Sequence, residues 1–384
     1  MNILLISDVY FPRVNGVSTS IKTFATQLQA LGHEVHLIAP EYGIMTEDEA
    51  WITRVASRRI FFDPEDRLMK YASLLELLPK LRAQNFDIVH IHTPFVAHYA
   101  GLRIARELGL PVVETYHTFF EDYMHHYLPW IPRVIAKVLA RRISKRQCNA
   151  LNAIISPSKP MLDVLRSYGV KVPAEVIATG LQQASFADSD GVFFRRKYNI
   201  PASRPMLLYV GRVAHEKNID FLLEMMNTLR HQIPDVLLVI TGEGPAEAHL
   251  RKQVSTHRIE HHVQFIGYLD RDKELNACYA AADVFVFASK SETQGLVLLE
   301  AMAQGTPVVA IAELGTASIL VDGQGARIAP DNEARFAQIV HDLLTQPIER
   351  LVLGEAGKAY VTQHWTAYAK AVQKAGFYQK LIQN

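Results

Sequence analysis

The sequence predicts an α/β protein made of two doubly wound, parallel-sheet domains. Three observations predict it. Short apolar runs alternate with amphipathic stretches in the first half, and the same alternation restarts after a polar gap. The chain is also 384 residues long, too long for one ordinary core. Repeated strand–helix–strand units with short connections imply a parallel sheet covered on both faces.

In the first half, residues 3–6 read as a strand, 18–31 as a helix ended by Gly32, and 35–38 as the next strand. Residues 41–66 break this rhythm and read as a loop-rich excursion. Residues 68–84 read as helix, 88–91 as strand, 96–108 as a helix closed by Gly109, and 112–115 and 153–155 as strands. A helix start follows at Pro157-Ser158. Residues 179–191 are small and polar, with few core candidates, and read as the interdomain linker. The second series places strands at 207–210, 236–240, 263–266, 284–288 and 308–311, a helix at 221–231, and mostly helix from Glu333 onward. The expected division is a domain over 1–180, a linker over 181–191 and a domain over 192–365. A C-terminal helix at about 366–384 is expected to pack back on the first domain.

Composition narrows the function classes. Apolar residues make up 49%, ample for two cores and far from the disordered class. A formal charge of +1 argues against a dedicated nucleic-acid binder. Cys148 and Cys278 are the only cysteines, with no metal-type spacing between them, so neither a disulfide framework nor a zinc site is expected, and a reducing cytoplasm fits. Residues 2–6 run straight into Ser7-Asp8 and read as a buried strand rather than a secretory signal. No apolar run approaches the length that spans a bilayer, so any membrane contact is expected to be peripheral.

The most informative stretch is Ser291-Glu292-Thr293-Gln294-Gly295-Leu296, continuing through a helical run to Glu300. Gly295 suits the turn from strand to helix. Glu292 therefore falls in a loop at the carboxyl end of a strand, and Glu300 just over a turn inside the next helix. That edge is where open α/β sheets bind ligands. Val14-Asn15-Gly16-Val17-Ser18 opens the first helix, where Gly16 is either a turn glycine or lets an anion approach the helix start. Arg212 and Lys217 follow the first strand of the second half, either as a diphosphate cradle or as solvated cations. Thr241-Gly242-Glu243-Gly244-Pro245 sits at the equivalent edge of the next strand, and its glycines suit close backbone approach. His117 stands directly after a strand, as a structural residue or a ligand contact.

No metal is assigned to the adjacent pairs His125-His126 and His261-His262, since neighbours in a helix do not face one site. Asp188-Ser189-Asp190 and Asp270-Arg271-Asp272 are short acidic patterns better explained by the linker and a helix cap. Residues 127–152 differ in kind. Leu128, Pro129, Trp130, Ile131 and Pro132 lead into Val134, Ile135, Val138, Leu139 and Ile143 at helical spacing, with Arg133, Lys137, Arg141, Arg142, Lys145 and Arg146 among them and no acidic residue. This is the composition of an interfacial anchor drawn to anionic lipid, or of a surface helix packing an apolar stripe on the core.

Together these motifs resemble the retaining family 4 glycosyltransferases of the GT-B fold, over essentially the whole chain. Glu292…Glu300 is similar to the family's paired-glutamate motif, and Gly211-Arg212…Glu216-Lys217 to its phosphate loop. The resemblance implies two facing Rossmann-like domains with a central cleft, a nucleotide-sugar donor (UDP-glucose best), and no cofactor or metal. It implies that Arg212 and Lys217 neutralise the departing diphosphate and that the backbone at Gly16 closes on the same phosphates. Glu300 would accept from the ribose hydroxyls. Glu292, with the backbone of Thr293, Gln294, Gly295 and Leu296, would hold the sugar, and His117 would reach it from the first domain. Tyr268 and Leu269 would lie at the base. Glu292 as a covalent nucleophile is the less favoured route.

The residues 117–123, the basic helix and 292–295 look most like the diacylglycerol glucosyltransferase branch. That implies a lipid acceptor and an anionic membrane surface on the cytoplasmic face. A soluble or polyprenyl-linked sugar acceptor, or a catalytically silent membrane- or sugar-binding module, are the rival expectations. One departure stands out: Thr179-Gly180-Leu181-Gln182 replaces the family's Asn-Gly-(Ile/Val)-Asp, which leaves the acceptor or hinge contacts there unassigned.

Overall fold

The computed structural model describes residues 1–43, 49–59, 67–117, 133–270 and 274–383. The chain divides into two compact units. One comprises Met1–Gly180 with Ala367–Asn384, the other Leu181–Thr366.

In the first unit the strands are β1 (Asn2–Ile6), β2 (Glu34–Pro40), β3 (Ile52–Val55), β4 (Ser57–Arg59), β5 (Arg67–Met69), β6 (Ile88–Ile91), β7 (Val112–Thr115), β8 (Ala153–Ser156) and β9 (Ala174–Val176). Seven of them form a parallel sheet ordered β3-β2-β1-β6-β7-β8-β9, while β4 and β5 form an antiparallel pair. Strands buried on both faces need continuous apolar runs, and Ile3, Leu4, Leu5 and Ile6 are all within 2% of full burial. The helix Gly16–Ala30 covers one face through Ile21, Phe24, Ala25 and Leu28, spaced as one helical stripe. Its start is fixed by Asn15, whose side-chain oxygen accepts from the Ser18 N–H at 2.9 Å. The C-terminal helix Ala367–Gln383 joins that core through Ala371, Ala375, Phe377 and Tyr378.

The second unit repeats the plan. Its strands are β10 (Met206–Val210), β11 (Leu237–Thr241), β12 (Val263–Gly267), β13 (Val284–Phe287), β14 (Val308–Ala310) and β15 (Ala326–Ile328). They form a parallel sheet ordered β12-β11-β10-β13-β14-β15. Residues 181–191 are bonded into this unit. Gln304 donates from Nε2 to the carbonyls of Ser185 and Ala187 at 2.7 and 3.0 Å, and the Leu181 N–H donates to the Trp365 carbonyl at 2.7 Å.

Two element expectations need correcting. The loop-rich excursion at 41–66 holds β3 and β4 among its described residues. The helix expected over 68–84 is instead β5 followed by short helices at Tyr71–Leu75 and Leu78–Arg82. β3 pairs with β2, and the pairing of β5 to β4 overrides local helix propensity at 67–69, because a strand's partner supplies the hydrogen bonds that propensity ignores.

Candidate active site

In the second unit the strand order reverses between β10 and β13, which are hydrogen-bonded neighbours. A crevice at the carboxyl ends of such strands is where doubly wound sheets take ligands. The loop after β10 carries Arg212 and Lys217, and the loop after β13 carries Glu292, Thr293, Gln294 and Gly295. These loops are joined. Lys217 ends the short 3-10 turn His215–Lys217 and donates from Nζ to Glu292 Oε2 at 2.8 Å. Asn218 donates to the Ala288 carbonyl at 3.1 Å, and the Ser291 hydroxyl to the Glu216 carbonyl at 3.2 Å.

The electrostatics follow from that geometry. Lys217 and Glu292 are 17% and 20% exposed. Burial pushes the Glu292 carboxyl up, but the Lys217 charge and hydrogen bond, with the N–H groups of Gln294 and Thr293, outweigh it. The carboxyl is held below the ordinary glutamate range and is ionised at neutral pH. Arg212 is one-third exposed, with Nη1 3.9 Å from Glu216 Oε1. A cation pair on one preorganised loop can stabilise a departing diphosphate as charge develops on it.

Glu300 lies elsewhere in the local frame. It is 3% exposed inside the helix Leu296–Ala303, where the Tyr279 hydroxyl donates to its Oε2 at 2.7 Å. Gly295 precedes that helix at φ +92°, a conformation costly for any residue with a Cβ, so glycine sets the turn. After β12, Tyr268 is 51% exposed while Leu269 is buried at 4%.

Sequence reasoning took Gly242 and Gly244 as positions of close backbone approach. The structure shows what approaches: a Cβ at Gly242 would lie 1.9 Å from the Gly211 carbonyl oxygen, and one at Gly244 2.3 Å from that of Val213. These glycines let the loop after β11 press on the Arg212 loop. Two supporting residues were missed, Tyr279 and Gly315. The Gly315 N–H donates to the Glu292 carbonyl at 2.8 Å. A glycine just after strand β14 was the available signal.

The first unit has its own reversal between β1 and β6. Gly16 is the first residue of its helix, and no described atom lies within 4 Å of where its Cβ would stand. The fold itself does not demand glycine there. His117 follows β7 and shares a hydrogen bond with His92, Nε2 to Nδ1, at 3.2 Å. Burial, then the nearby Lys374 charge, lowers its pKa to about 3, so the ring is neutral at physiological pH. Behind it, His90 stacks near His92 with ring centroids 4.1 Å apart, bonds Tyr378 through Nδ1, and meets Thr115 Oγ1 at 2.7 Å. His92 was also missed; its signal was the position directly after strand β6. So was Asp8, buried after β1, which accepts from the Thr93 hydroxyl at 3.0 Å and the Ala97 N–H at 2.8 Å.

The basic segment is the helix Arg133–Cys148. Its buried face is Ala136, Ala140, Ser144, Gln147 and Cys148, all small or polar, and Ile143 is partly buried. The larger apolar residues face outward: Val134 is 74% exposed, Ile135 58%, Val138 44% and Leu139 39%. Lys137, Arg141, Arg142, Lys145 and Arg146 are exposed beside them. Trp130, His125 and His126 lie outside the described residues, as does the Arg133 side chain. Among the described residues no helix is long and apolar enough to cross a membrane. In the linker, Asp190 caps the helix Gly191–Lys197 by accepting from the Phe193 N–H, and Asp188 pairs with Lys358.

Two family descriptions match the chain: Glycosyltransferase Family 4 over residues 14–183, and Glycosyl transferases group 1 over 192–360. An alpha-monoglucosyldiacylglycerol synthase of Streptococcus pneumoniae is 35% identical over 316 residues, covering 81% of this chain and 71% of that protein. The chain belongs to the family 4 glycosyltransferases.

This glycosyltransferase is also similar to a GDP-mannose-dependent alpha-mannosyltransferase of Mycobacterium tuberculosis, 29% identical over 89% of each chain. A sucrose-phosphate synthase of Thermosynechococcus elongatus shares the fold, with a TM-score of 0.80, 20% identity and full coverage of both chains. The architecture is GT-B: two parallel-sheet, Rossmann-like units in one chain. The group 1 match falls wholly within the second unit and contains Arg212, Lys217, Glu292 and Glu300.

Proposed function

We propose that this glycosyltransferase moves glucose from UDP-glucose to a membrane lipid alcohol such as diacylglycerol, with retention of anomeric configuration. The observation that carries the lipid acceptor is the Arg133–Cys148 helix. It turns Val134, Ile135, Val138, Leu139 and its described cations to solvent and buries small or polar residues instead. A helix of this kind lies in a headgroup layer, apolar face down, with cations on anionic lipid. It would hold the enzyme at the inner face of a cell membrane. The name of the Streptococcus pneumoniae relative agrees with glucose and diacylglycerol.

On this reading Arg212 and Lys217 take the diphosphate, with the Gly16 backbone as a further phosphate contact. Glu300 takes the ribose hydroxyls and the 268–269 loop takes the base. Glu292, held ionised by Lys217, positions the sugar with the backbone of 293–296, and His117 meets the sugar as a neutral ring. The bond from C1 to the diphosphate oxygen breaks while the acceptor oxygen bonds C1 on the same face. The acceptor proton passes to the departing phosphate. The two cations stabilise that leaving group, so the chemical step runs without a metal.

The mannosyltransferase relative supports one rival donor, GDP-mannose. A screen of UDP- and GDP-sugars by nucleotide release separates the two. UDP release from UDP-glucose in EDTA supports the reading; release of GDP alone, or turnover that requires an added metal, contradicts it.

A further inference from the structure

The Arg212 loop carries a second constellation. His215 stands on the 3-10 turn His215–Lys217, Asp220 in the first turn of the helix Ile219–Leu229, and His249 on the helix Glu247–Thr256. Their ligand-type atoms all lie within 4.8 Å of one another. His249 Nε2 and Asp220 Oδ1 are 2.7 Å apart, and the two imidazole centroids are 5.4 Å apart at 58°. Three segments thus bring two imidazoles and one carboxylate to a point.

We propose that His215, Asp220 and His249 form a binding site for a divalent transition metal of the zinc class. Zinc takes histidine nitrogen and carboxylate oxygen at roughly 2.0–2.2 Å, which sets tetrahedral ligands roughly 3.3–3.5 Å apart. The three ligand atoms, all within 4.8 Å of one another, would close to that spacing around an ion. His249 is 46% exposed and Asp220 33%, so the ion has an entry path and a face left for water. Two nitrogen ligands select against magnesium and calcium, which want oxygen alone.

The mounts of these side chains are fixed before any ion arrives. The Val213 N–H donates to the Glu243 carbonyl at 2.9 Å, the Ala246 N–H to the Val213 carbonyl at 3.0 Å, and the Lys217 N–H to the Ala214 carbonyl at 3.0 Å. The loop bearing His215 and the segment leading to His249 are therefore already laced together. An ion there clamps the turn that ends in Lys217 to the two helices beside it. It acts as a brace on the loop and takes no part in the bond-making step.

The test uses the full, metal-stripped chain and Zn2+ alone, titrated by calorimetry, with Co2+ absorption as a second readout. The wild type is expected to take up a single saturable equivalent, unaffected by excess Mg2+, and to give the intense visible bands of a four- or five-coordinate Co2+ site. His215→Gln and His249→Gln are each expected to weaken uptake by about tenfold or more, with far-UV circular dichroism unchanged. Zn2+ uptake no tighter in the wild type than in the His215→Gln/His249→Gln double variant would overturn the proposal. So would a Co2+ spectrum that the double variant retains.

Discussion

Lys217 Nζ donates to Glu292 Oε2 at 2.8 Å, joining the loops that leave neighbouring strands β10 and β13. The contact spans the reversal point of the second sheet. It also gives Glu292 a task before any sugar arrives. A carboxylate already bonded to a cation is a weak nucleophile, which favours positioning over covalent attack.

Lys217→Ala should therefore have two effects. It leaves a partly buried carboxylate unpaired, at a cost of about 1–3 kcal/mol in denaturant unfolding. It should also lower kcat by about 100-fold or more, the usual scale for losing one donor to a developing anion. Arg212→Ala, one-third exposed, should show the kinetic loss with little change in stability. Near-normal turnover in both variants would remove the diphosphate role.

Gly16→Ala separates fold from function. No described atom crowds the added methyl, and alanine is a better helix former than glycine, so stability should hold or rise slightly. On the proposed donor reading UDP-glucose turnover should still fall, because that reading brings the donor phosphates to the Gly16 backbone. A variant as active as wild type would place the phosphates elsewhere.

The histidine cluster of the first unit predicts acid lability. His90 and His92 are held well below the ordinary histidine range by burial and neighbouring positive charge, and His117 at about 3. Each is neutral when folded and protonates on unfolding below about pH 6.5. Their contribution is full above that pH and is lost as pH falls. His92→Gln should reduce the slope of unfolding free energy against pH by about one proton between pH 4 and 6. An unchanged slope would mean that His92 titrates in the folded state.

The outward face of the Arg133–Cys148 helix predicts vesicle binding. Arg142→Gln with Arg146→Gln should weaken binding to anionic vesicles by about thirtyfold, at about 1 kcal/mol per basic residue. Replacing Val134, Ile135, Val138 and Leu139 with serine should abolish binding while changing stability little, since all four are exposed. Sedimentation with vesicles reads both, and binding that survives both changes would leave the lipid reading without support.

Much of the second unit's candidate site was legible in the sequence because apolar strands followed by glycine and charge mark a sheet's carboxyl edge. Residues 284–287 followed by Glu292 and Gly295 are the clearest instance. What was not legible depended on partners distant along the chain. β4 and β5 carry arginines and become strands only by pairing with each other. Gly242 reads as a position of close backbone approach, but only the fold shows that the Gly211 carbonyl is what approaches. Periodicity found the stripe at Val134, Ile135, Val138 and Leu139 but could not give its direction; the alanines on the opposite face decided that. His215 and His249 are 34 positions apart in sequence, and only the fold brings them together.

The most direct test is product analysis with UDP-glucose and anionic vesicles, with and without diacylglycerol. The account predicts UDP release that depends on diacylglycerol and an α-linked glucosyl lipid as product. Release independent of the lipid, a β-linked product, or transfer only to a water-soluble sugar would contradict it.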